Sequence, residues 1–324
     1  MTDTLNTTTY VPEQSIITTE RLYLRQFTAE DAADLYELNN DNEVLQYTGD
    51  EPFDSVADAL HFVSNYTAYE KPGMGRWAVI RKEDDAFLGW CGLKYHPLER
   101  VVDLGYRLKK KYWRYGYATE AAKACVQYAF QDLKLASLVA HAHVDNSASH
   151  KVLQKIGFKY IKTFLYDGKN AFQYSLFNKD YAIRQISGKE TWSVRHPVLR
   201  QGRPLEDCHF EGDENQDTIH LGLYHLDHPV GVVSLLKKDH NYFSGTQYQL
   251  RGMAVLPEFQ NKGLGELLVD EGEKLLNAKR VYTIWLNARE VAVSFYTNLD
   301  YEIMGKPFEV EPIGTHYLMH KKLR

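Results

Sequence analysis

The sequence predicts a mixed α/β fold that occurs twice along the chain, each copy being a mostly antiparallel sheet flanked by helices. The chain has 324 residues, of which 44% are apolar, enough to form two cores of ordinary domain size. Strand-like and helical segments recur in the same order in both halves, and a glycine turn joins a strand to a helix at Gly116 and again at Gly263. We therefore expect one domain over residues 1–178 and a second over 179–324.

The elements of the first half follow from apolar periodicity and from capping and turn residues. Alternation predicts a strand over 21–27, and Thr28 is a candidate N-cap for a helix that ends near Leu38. A second helix is expected over 54–69. The remaining elements are strands over 77–80, 87–93, 101–108, 138–143, 158–166 and 171–177, and helices over 116–130 and 147–155.

The second half repeats this order. Strands are expected over 181–186, 218–226, 230–236, 248–256 and 281–286 and near Tyr301 and Tyr317, with helices ending at Leu199 and Asn277 and spanning 290–298. Alignment of Gly116 with Gly263 gives an offset of 147 residues (263 minus 116), and alignment of Asn146 with Asn287 gives 141 (287 minus 146). Because loop lengths vary between repeats, we interpret the chain as a tandem duplication.

Composition excludes several classes of function. The net charge is −5 and the basic residues are scattered, so no nucleic-acid footprint is present. No apolar run approaches the roughly 18 residues of a membrane span, and residues 1–15 lack the pattern of a secretory signal. We expect a cytoplasmic protein without a membrane partner.

A metal site is also not expected. The three cysteines are widely spaced, which is typical of reduced thiols rather than of zinc ligands. His141 and His143 share one face of a predicted strand, but no third ligand accompanies them, and substrate-pocket lining or ordinary packing explains them better.

The segment Gln260–Gly265 follows a strand and opens a helix. A helix N-terminus presents unpaired N–H groups to an anion, and glycines such as Gly263 and Gly265 allow close approach to the main chain. Lys262 adds a possible charge-assisted contact. The segment is neither a P-loop nor a dinucleotide fingerprint. Glycine spacing alone leaves two interpretations open, a pyrophosphate cradle or only a tight turn.

At this point the chain resembles the GNAT superfamily of acetyl-CoA-dependent acyltransferases, whose signature is Q/R-x-x-G-x-G/A. Residues 260–265 match every defined position, and the resemblance covers 181–324, including Asn287 and Tyr296. It implies a domain that uses acetyl-CoA as cosubstrate. The implied cofactor-binding residues are Ala254, Val255, Gln260, Asn261, Lys262, Gly263, Leu264, Gly265 and Asn287.

The first half resembles another GNAT branch, the ribosomal-protein N-terminal acetyltransferases. The matching segments are Thr19–Leu22, Trp113–Glu120, Asn146–Ser149 and Lys155–Phe158. Trp113 stands where the general signature has Gln or Arg, so a side-chain contact to phosphate is expected to be lost. The implied cofactor-binding residues are Leu108, Trp113, Arg114, Tyr115, Gly116, Tyr117, Ala118 and Asn146.

The resemblance also suggests catalytic groups. Backbone N–H groups near Ala254, Val255 and Leu108 would stabilise an oxyanion. Tyr296 would protonate the leaving thiolate, although by composition alone a tyrosine beside Phe295 on an amphipathic helix is more often a core residue.

In the first copy Ser149 is the corresponding hydroxyl, although together with Asn146 it is equally a helix cap. Asp103 is the candidate base, with an exposed strand aspartate as the alternative. The second copy offers Gln249 and Arg251 and no carboxylate there. Arg195 and Arg200 are either solvated helix residues or ligands for an acidic substrate group.

These observations predict an N-acetyltransferase that transfers an acetyl group directly to an amine on a small molecule or peptide. The alternative is an acyl-CoA-binding or regulatory protein in which one or both copies are inactive. The same scaffold accepts many amines, so the sequence does not choose the acceptor, and it leaves the oligomeric state open.

Overall fold

The structure, a computed structural model, describes residues 14–166, 168–311 and 313–323. The expectation about a secretory signal rests mainly on residues 1–13 and lies outside this range. The chain divides into two compact units, one ending at Asn178 and the other beginning at Lys179. None of the helices in the described ranges has the length and apolar character needed to cross a membrane.

In unit 1, helices pack on both faces of a sheet whose strand order is β1-β2-β3-β4-β5-β6-β8-β7. The strands are β1 Ile17–Thr18, β2 Leu22–Arg25, β3 Gly75–Arg81, β4 Phe87–His96, β5 Val101–Leu108, β6 Ser137–His143, β7 Lys159–Tyr166 and β8 Lys169–Phe177. The helices are α1 Ala32–Asn39, α2 Asn42–Leu45, α3 Val56–Ser64, α4 Tyr117–Gln131 and α5 Ser147–Lys155. Neighbouring strands are antiparallel except β5 and β6, which are parallel.

Unit 2 has the same plan, with the strand order β14-β16-β13-β12-β11-β10-β9 and β15 paired to β16. The strands are β9 Tyr181–Ile186, β10 Ile219–His225, β11 His228–Lys237, β12 Gln247–Val255, β13 Thr283–Arg289, β14 Glu302–Ile303, β15 Phe308–Val310 and β16 Gly314–Lys322. The helices are α6 Trp192–Leu199, α7 Leu264–Ala278 and α8 Val293–Thr297. The parallel pair is β12 with β13.

Two predicted helices are shorter in the structure. The helix expected over 54–69 is α3, followed by a separate 3₁₀ turn at Thr67–Glu70. Asn65 ends α3 because both its backbone N–H and its side-chain amide donate to the carbonyl of His61. The helix expected over 290–298 is a 3₁₀ turn followed by the five-residue α8. The periodicity of apolar residues did not predict the short elements α2 and β15.

Each sheet buries apolar residues on both faces. In unit 1, Trp77, Leu93 and Leu138 pack toward α4, and Ile80 and Phe87 pack toward α1 and α3. Strand β5, which pairs in parallel with β6, therefore lies between two layers of helices. This arrangement places the end of β5, and by the same plan the end of β12, directly before the glycine turns.

Candidate active sites

The two glycine turns have the same backbone conformation. Arg114 and Gly116 have φ angles of 68° and 83°, and Asn261 and Gly263 have 60° and 79°. Each turn follows a 3₁₀ turn, at Lys110–Tyr112 in unit 1 and Pro257–Phe259 in unit 2. Residues with a side chain are disfavoured at positive φ. Arg114 and Asn261 adopt it at matching positions, which indicates that the tertiary structure holds each loop in this shape.

A side chain braces each turn in the same way. The indole Nε1 of Trp113 donates to the carbonyl of Leu108 at 2.7 Å, and the amide Nε2 of Gln260 donates to the carbonyl of Val255 at 2.9 Å. In both cases the acceptor lies five residues earlier, at the end of the preceding strand. The sequence predicts that Trp113 cannot make the polar contact to phosphate that Gln or Arg would make, and this stays a prediction; within the protein, Trp113 and Gln260 make the same contact.

Each turn lies where two parallel strands separate. The register pairs Asp103 with Val139 in unit 1 and Gln249 with Trp285 in unit 2, and the parallel pairing of the described residues goes no further toward the turn. The main chain that ends at Leu108 or Val255 is therefore unpaired on that side. An unpaired strand edge of this kind can hydrogen-bond an extended ligand.

Only unit 2 has a bulge in this strand. The register between β11 and β12 shifts between Val232 and Ser234, opposite Gly252, whose φ is 58°. In unit 1 the pairing of β4 with β5 is continuous from Gly89 to His96. Because a bulge bends a strand and leaves a residue out of the ladder, Ala254 and Val255 sit on a more strongly splayed segment than Leu108.

The turns fit a pyrophosphate group. Helix α4 begins at Tyr117 and α7 at Leu264, so the first N–H groups of each helix, including those of Ala118 and Gly265, lack intrahelical acceptors and carry the positive end of the helix dipole. Arg114 and Asn261 are exposed beside them.

Two cradle residues also have structural contacts. A Cβ on Gly265 would lie 3.2 Å from the ring of Phe295, so its missing side chain makes room for α8. The Lys262 Nζ donates to the carbonyl of Glu258 at 2.6 Å and lies 5.3 Å from the ring centre of Phe259. Lys262 therefore lies beside the turn, held by the 3₁₀ segment that precedes it.

Unit 1 has a second brace, which joins the segment Thr19–Leu22 to the segment Trp113–Glu120. The carboxylate of Glu120 accepts from Thr19 Oγ1 at 2.6 Å, from the backbone N–H of Arg21 at 3.0 Å and from Arg21 Nε at 2.7 Å. The Nη1 of Arg21 donates to the carbonyl of Tyr115 at 3.1 Å, and its guanidinium lies 4.5 Å from the ring centre of Tyr117. These contacts fix the turn.

This brace keeps Glu120 ionised. Burial alone would raise the pKa of Glu120, but the hydrogen bonds from Thr19 and Arg21 outweigh it and hold the pKa below its usual value. The sequence showed both motifs but not their contact, since about a hundred residues separate them.

Ser149 and Asn146 are brought together with a residue that the sequence did not single out. The Asn146 side chain accepts from the backbone N–H of Ser149 at 3.0 Å and so caps α5. The hydroxyl of Ser149 lies 2.9 Å from that of Tyr106 on β5. Burial raises the pKa of Tyr106 well above its usual range, so its hydroxyl remains protonated. Alternation along β5 could have identified it.

Tyr296 lies in the core of unit 2. Its side chain is 6% exposed and makes edge contacts with Phe295 and Tyr301. Burial raises the pKa of Tyr296 well above its usual range. The residue therefore contributes to packing of α8 and also keeps a protonated hydroxyl.

Asn287 is not the structural counterpart of Asn146, which corrects the offset of 141 residues. The parallel register matches Val139 with Trp285, so Asn287 corresponds to His141. Asn287 is an exposed residue within β13, whereas Asn146 follows its strand as a helix cap. Sequence identity at two asparagines is a weaker constraint than strand register.

Asp103 is buried, which corrects the alternative of an exposed strand aspartate. It is 7% exposed and forms an ion pair with Arg76, which also donates to the carbonyls of Gly92 and Asp103. His96 lies on the same face of the β4–β5 hairpin, with its Nε2 4.0 Å from the Asp103 carboxylate. That nitrogen is buried and has no hydrogen-bond partner. The hairpin register could have predicted this His–Asp pair.

Arg195 is fully buried, contrary to both interpretations of it. Its guanidinium pairs with Asp213, and the side chains of both residues have no exposed surface. It also donates to the carbonyl of Cys208 at 2.9 Å and to Ser234 Oγ at 2.7 Å. The His220 ring joins Ser234 and the carbonyl of Asp213. This network joins α6 to the sheet and is structural.

A metal centre has no support in the described part of the chain, where no group of three His, Cys, Asp or Glu residues is arranged to hold an ion. His141 instead packs near Phe164 and Tyr166, at 5.0 Å from each ring centre, and burial lowers its pKa.

Comparison with known proteins gives the same family for both units. Residues 21–159 match a family model described as an acetyltransferase (GNAT) domain, and residues 181–301 match one described as the acetyltransferase (GNAT) family. The chain is 30% identical over 171 residues to the uncharacterized N-acetyltransferase YoaA of Bacillus subtilis, covering 50% of this chain and 95% of the relative.

Two further similarities are of the same kind. The uncharacterized N-acetyltransferase YitI of Bacillus subtilis is 29% identical over 143 residues, which are 44% of this chain and 96% of the relative. The crystal structure of a GNAT-family acetyltransferase from Bacillus anthracis is 25% identical, with a TM-score of 0.45, and covers 50% of this chain and 98% of that one.

Proposed function

The chain belongs to the GNAT family of acetyl-CoA-dependent N-acetyltransferases, and we propose that each of its units transfers an acetyl group directly from acetyl-CoA to an amine. The observation that carries this proposal is the duplicated turn, in which Arg114 and Gly116 repeat the backbone of Asn261 and Gly263. Both turns carry the same side-chain brace, so Trp113 gives no reason to regard unit 1 as inactive.

The cofactor site in each unit is the turn together with the unpaired strand before it. The N–H groups at the start of α4 and α7 bind the pyrophosphate, and the open main chain of β5 and β12 aligns the pantetheine arm. Acetyl-CoA supplies the thioester on which the amine acts. Backbone N–H groups near Leu108, Ala254 and Val255 stabilise negative charge on the acyl oxygen.

The proton groups differ between the units. In unit 1 the amine proton passes to the pair formed by Asp103 and His96, whose carboxylate and Nε2 lie 4.0 Å apart, and the hydroxyl of Ser149, hydrogen-bonded to Tyr106, protonates the leaving sulfur. In unit 2 Tyr296 is the proton donor, since its raised pKa keeps the hydroxyl protonated at neutral pH. These assignments rest on position and chemistry.

The test is release of CoA from acetyl-CoA over a broad panel of amines, with one turn changed at a time. Gly116→Ala places a Cβ at a φ of 83° in the unit 1 turn, and Gly49→Ala is its matched control because Gly49 has the same φ and open space around it. Gly263→Ala and Gly305→Ala, both at 79°, form the corresponding pair in unit 2. We expect slower release only for the turn variants.

Absence of CoA release with every amine, despite measured acetyl-CoA binding, would refute catalysis. Equal loss in a turn variant and its control would refute the assignment of the cradle, because the strain alone would then explain the effect.

A further inference from the structure

Three guanidinium groups surround one aromatic ring in unit 2. The guanidinium carbons of Arg195, Arg200 and Arg251 lie 4.2, 4.9 and 4.7 Å from the ring centre of Phe210. The charge of Arg195 is matched by Asp213. The other two arginines belong to the same cluster but are not part of that network.

Arg200 and Arg251 have only neutral hydrogen-bond acceptors. Arg200 donates to the carbonyls of Leu199 and Asp207 at 2.9 and 3.2 Å, and Arg251 donates to the carbonyl of Glu211 at 3.1 Å. Within the described ranges, no carboxylate lies within ion-pair distance of either guanidinium. Burial lowers the pKa of both arginines, neighbouring arginines add to this effect, and the nearby carboxylates of Asp207, Asp213 and Glu211 offset it only in part.

The cluster lies beside the segment of β12 to which the proposed function assigns the thioester. Arg251 is on β12 immediately before the bulge at Gly252, and three residues before Ala254. It pairs with Ser234, which bonds Arg195 of α6, so its side chain is on the α6 face of the sheet. Gln249 is on that face too, is 8% exposed, and has a buried side-chain oxygen without a hydrogen-bond partner.

Unit 1 has a paired cation over Gly105, which is the counterpart of Arg251 by strand register. There the guanidinium of Arg76 lies over Gly105, where an added Cβ would be 2.7 Å from its Cζ, and Asp103 pairs with it. By strand register Gln249 takes the position of Asp103 in unit 2. In unit 2 Gln249 thus replaces the carboxylate of Asp103, and Asp213, the carboxylate that acts most strongly on Arg251, is already paired with Arg195.

We propose that Arg200 and Arg251 bind a carboxylate carried by the acceptor of unit 2, which makes amino acids and related anionic amines its substrate class. A guanidinium offers a carboxylate two parallel N–H groups, and a desolvated cation gains most from such a partner. In the reaction the amine nitrogen bonds the acyl carbon, the C–S bond breaks, and the amine proton leaves to solvent while the thiolate is protonated. This inference rests on the proposed function, because it takes the thioester to lie at β12.

The test uses the full chain and a panel of L-amino acids, each paired with its carboxamide, as acceptors for CoA release. Background from unit 1 is removed with Gly116→Ala. We expect kcat/KM for the acids to exceed that for the amides by about tenfold or more, the usual effect of a charged hydrogen bond. Arg251→Gln and Arg200→Gln should reduce this ratio toward one, mainly through KM. Arg184→Gln is the control, because Arg184 pairs with Asp227 on the exposed edge.

A second readout is independent of turnover. Calorimetric titration of the preferred amino acid into the CoA-bound protein should show binding about tenfold weaker in Arg251→Gln and unchanged in Arg184→Gln. Equal use of acids and amides, with CoA released, would overturn the carboxylate site and leave the proposed function standing. A preference for phosphoethanolamine over every amino acid would overturn it in favour of a phosphate. No release with any amine would instead refute the proposed function.

Discussion

The brace formed by Gln260 can be tested by removing one hydrogen bond. Gln260→Met keeps the length of the side chain but has no N–H to donate to the carbonyl of Val255, which lies 2.9 Å from Nε2. Val255 as a whole is 8% exposed. The turn from Asn261 to Gly263 then loses the contact that fixes it against β12, and we expect weaker CoA binding in unit 2.

The magnitude follows from the single bond removed. A hydrogen bond between neutral groups contributes about 0.5–1.5 kcal/mol, and leaving a buried carbonyl without a partner moves the cost toward the upper end. If the whole cost appears as lost pre-organisation, the Kd for CoA in unit 2 should rise about two- to twelvefold. The side chain itself need not contact the phosphate for this result.

The assay is calorimetric titration of CoA into the full chain, where the unchanged unit serves as an internal control. Trp113→Phe removes the equivalent donor to Leu108 in unit 1 and should weaken that site alone. Unchanged affinity in Gln260→Met, or equal weakening at both sites, would show that the side chain does not brace the turn.

Three further predictions concern other contacts. Glu120→Gln should weaken CoA binding in unit 1 about fivefold, the equivalent of ~1 kcal/mol. Because the folded pKa of Glu120 is lowered, its contribution to stability is present above the unfolded value of about 4.5 and is lost as the pH falls through the folded one, so acid titration of unit 1 should be less steep in this variant. Asp213→Asn should destabilise unit 2 by about 3–5 kcal/mol, since it leaves the buried charge of Arg195 unmatched, and denaturant unfolding measures this; a loss below ~1 kcal/mol would contradict it. Tyr296→Phe should lower kcat in unit 2 with little change in KM for acetyl-CoA if its hydroxyl protonates the thiolate, whereas unchanged kcat would leave only the packing role.

Several features could be predicted because local sequence determines them. The helix over 147–155 is found at its predicted bounds, since Asn146 caps its start and Gly157, with a φ of 97°, follows its end. The strand over 101–108 is also found as predicted. Glycines at Gly116 and Gly263 marked both turns, because only a residue without Cβ adopts their positive φ at little cost.

Other predictions failed where the deciding contact is distant along the chain. Arg195 was expected to be solvated or to bind substrate, but Asp213, supplied by a later loop, buries it. The pairing of Asn146 with Asn287 was wrong because equivalence in a sheet is set by strand register, which the sequence does not display. In addition, nothing in the neighbouring sequence indicated that the Trp113 side chain donates to the end of the preceding strand, as that of Gln260 does.

The sequence by itself therefore determined the repeated order of elements, the two turns and the family. Each of these features depends on residues that are close together in the sequence, within a single strand or a single turn of helix. Only the tertiary structure decided which charges are matched. Arg76 and Asp103 meet across three strands, while Arg251 meets no carboxylate among the described residues, because ion pairs form between side chains that folding, not sequence spacing, brings together.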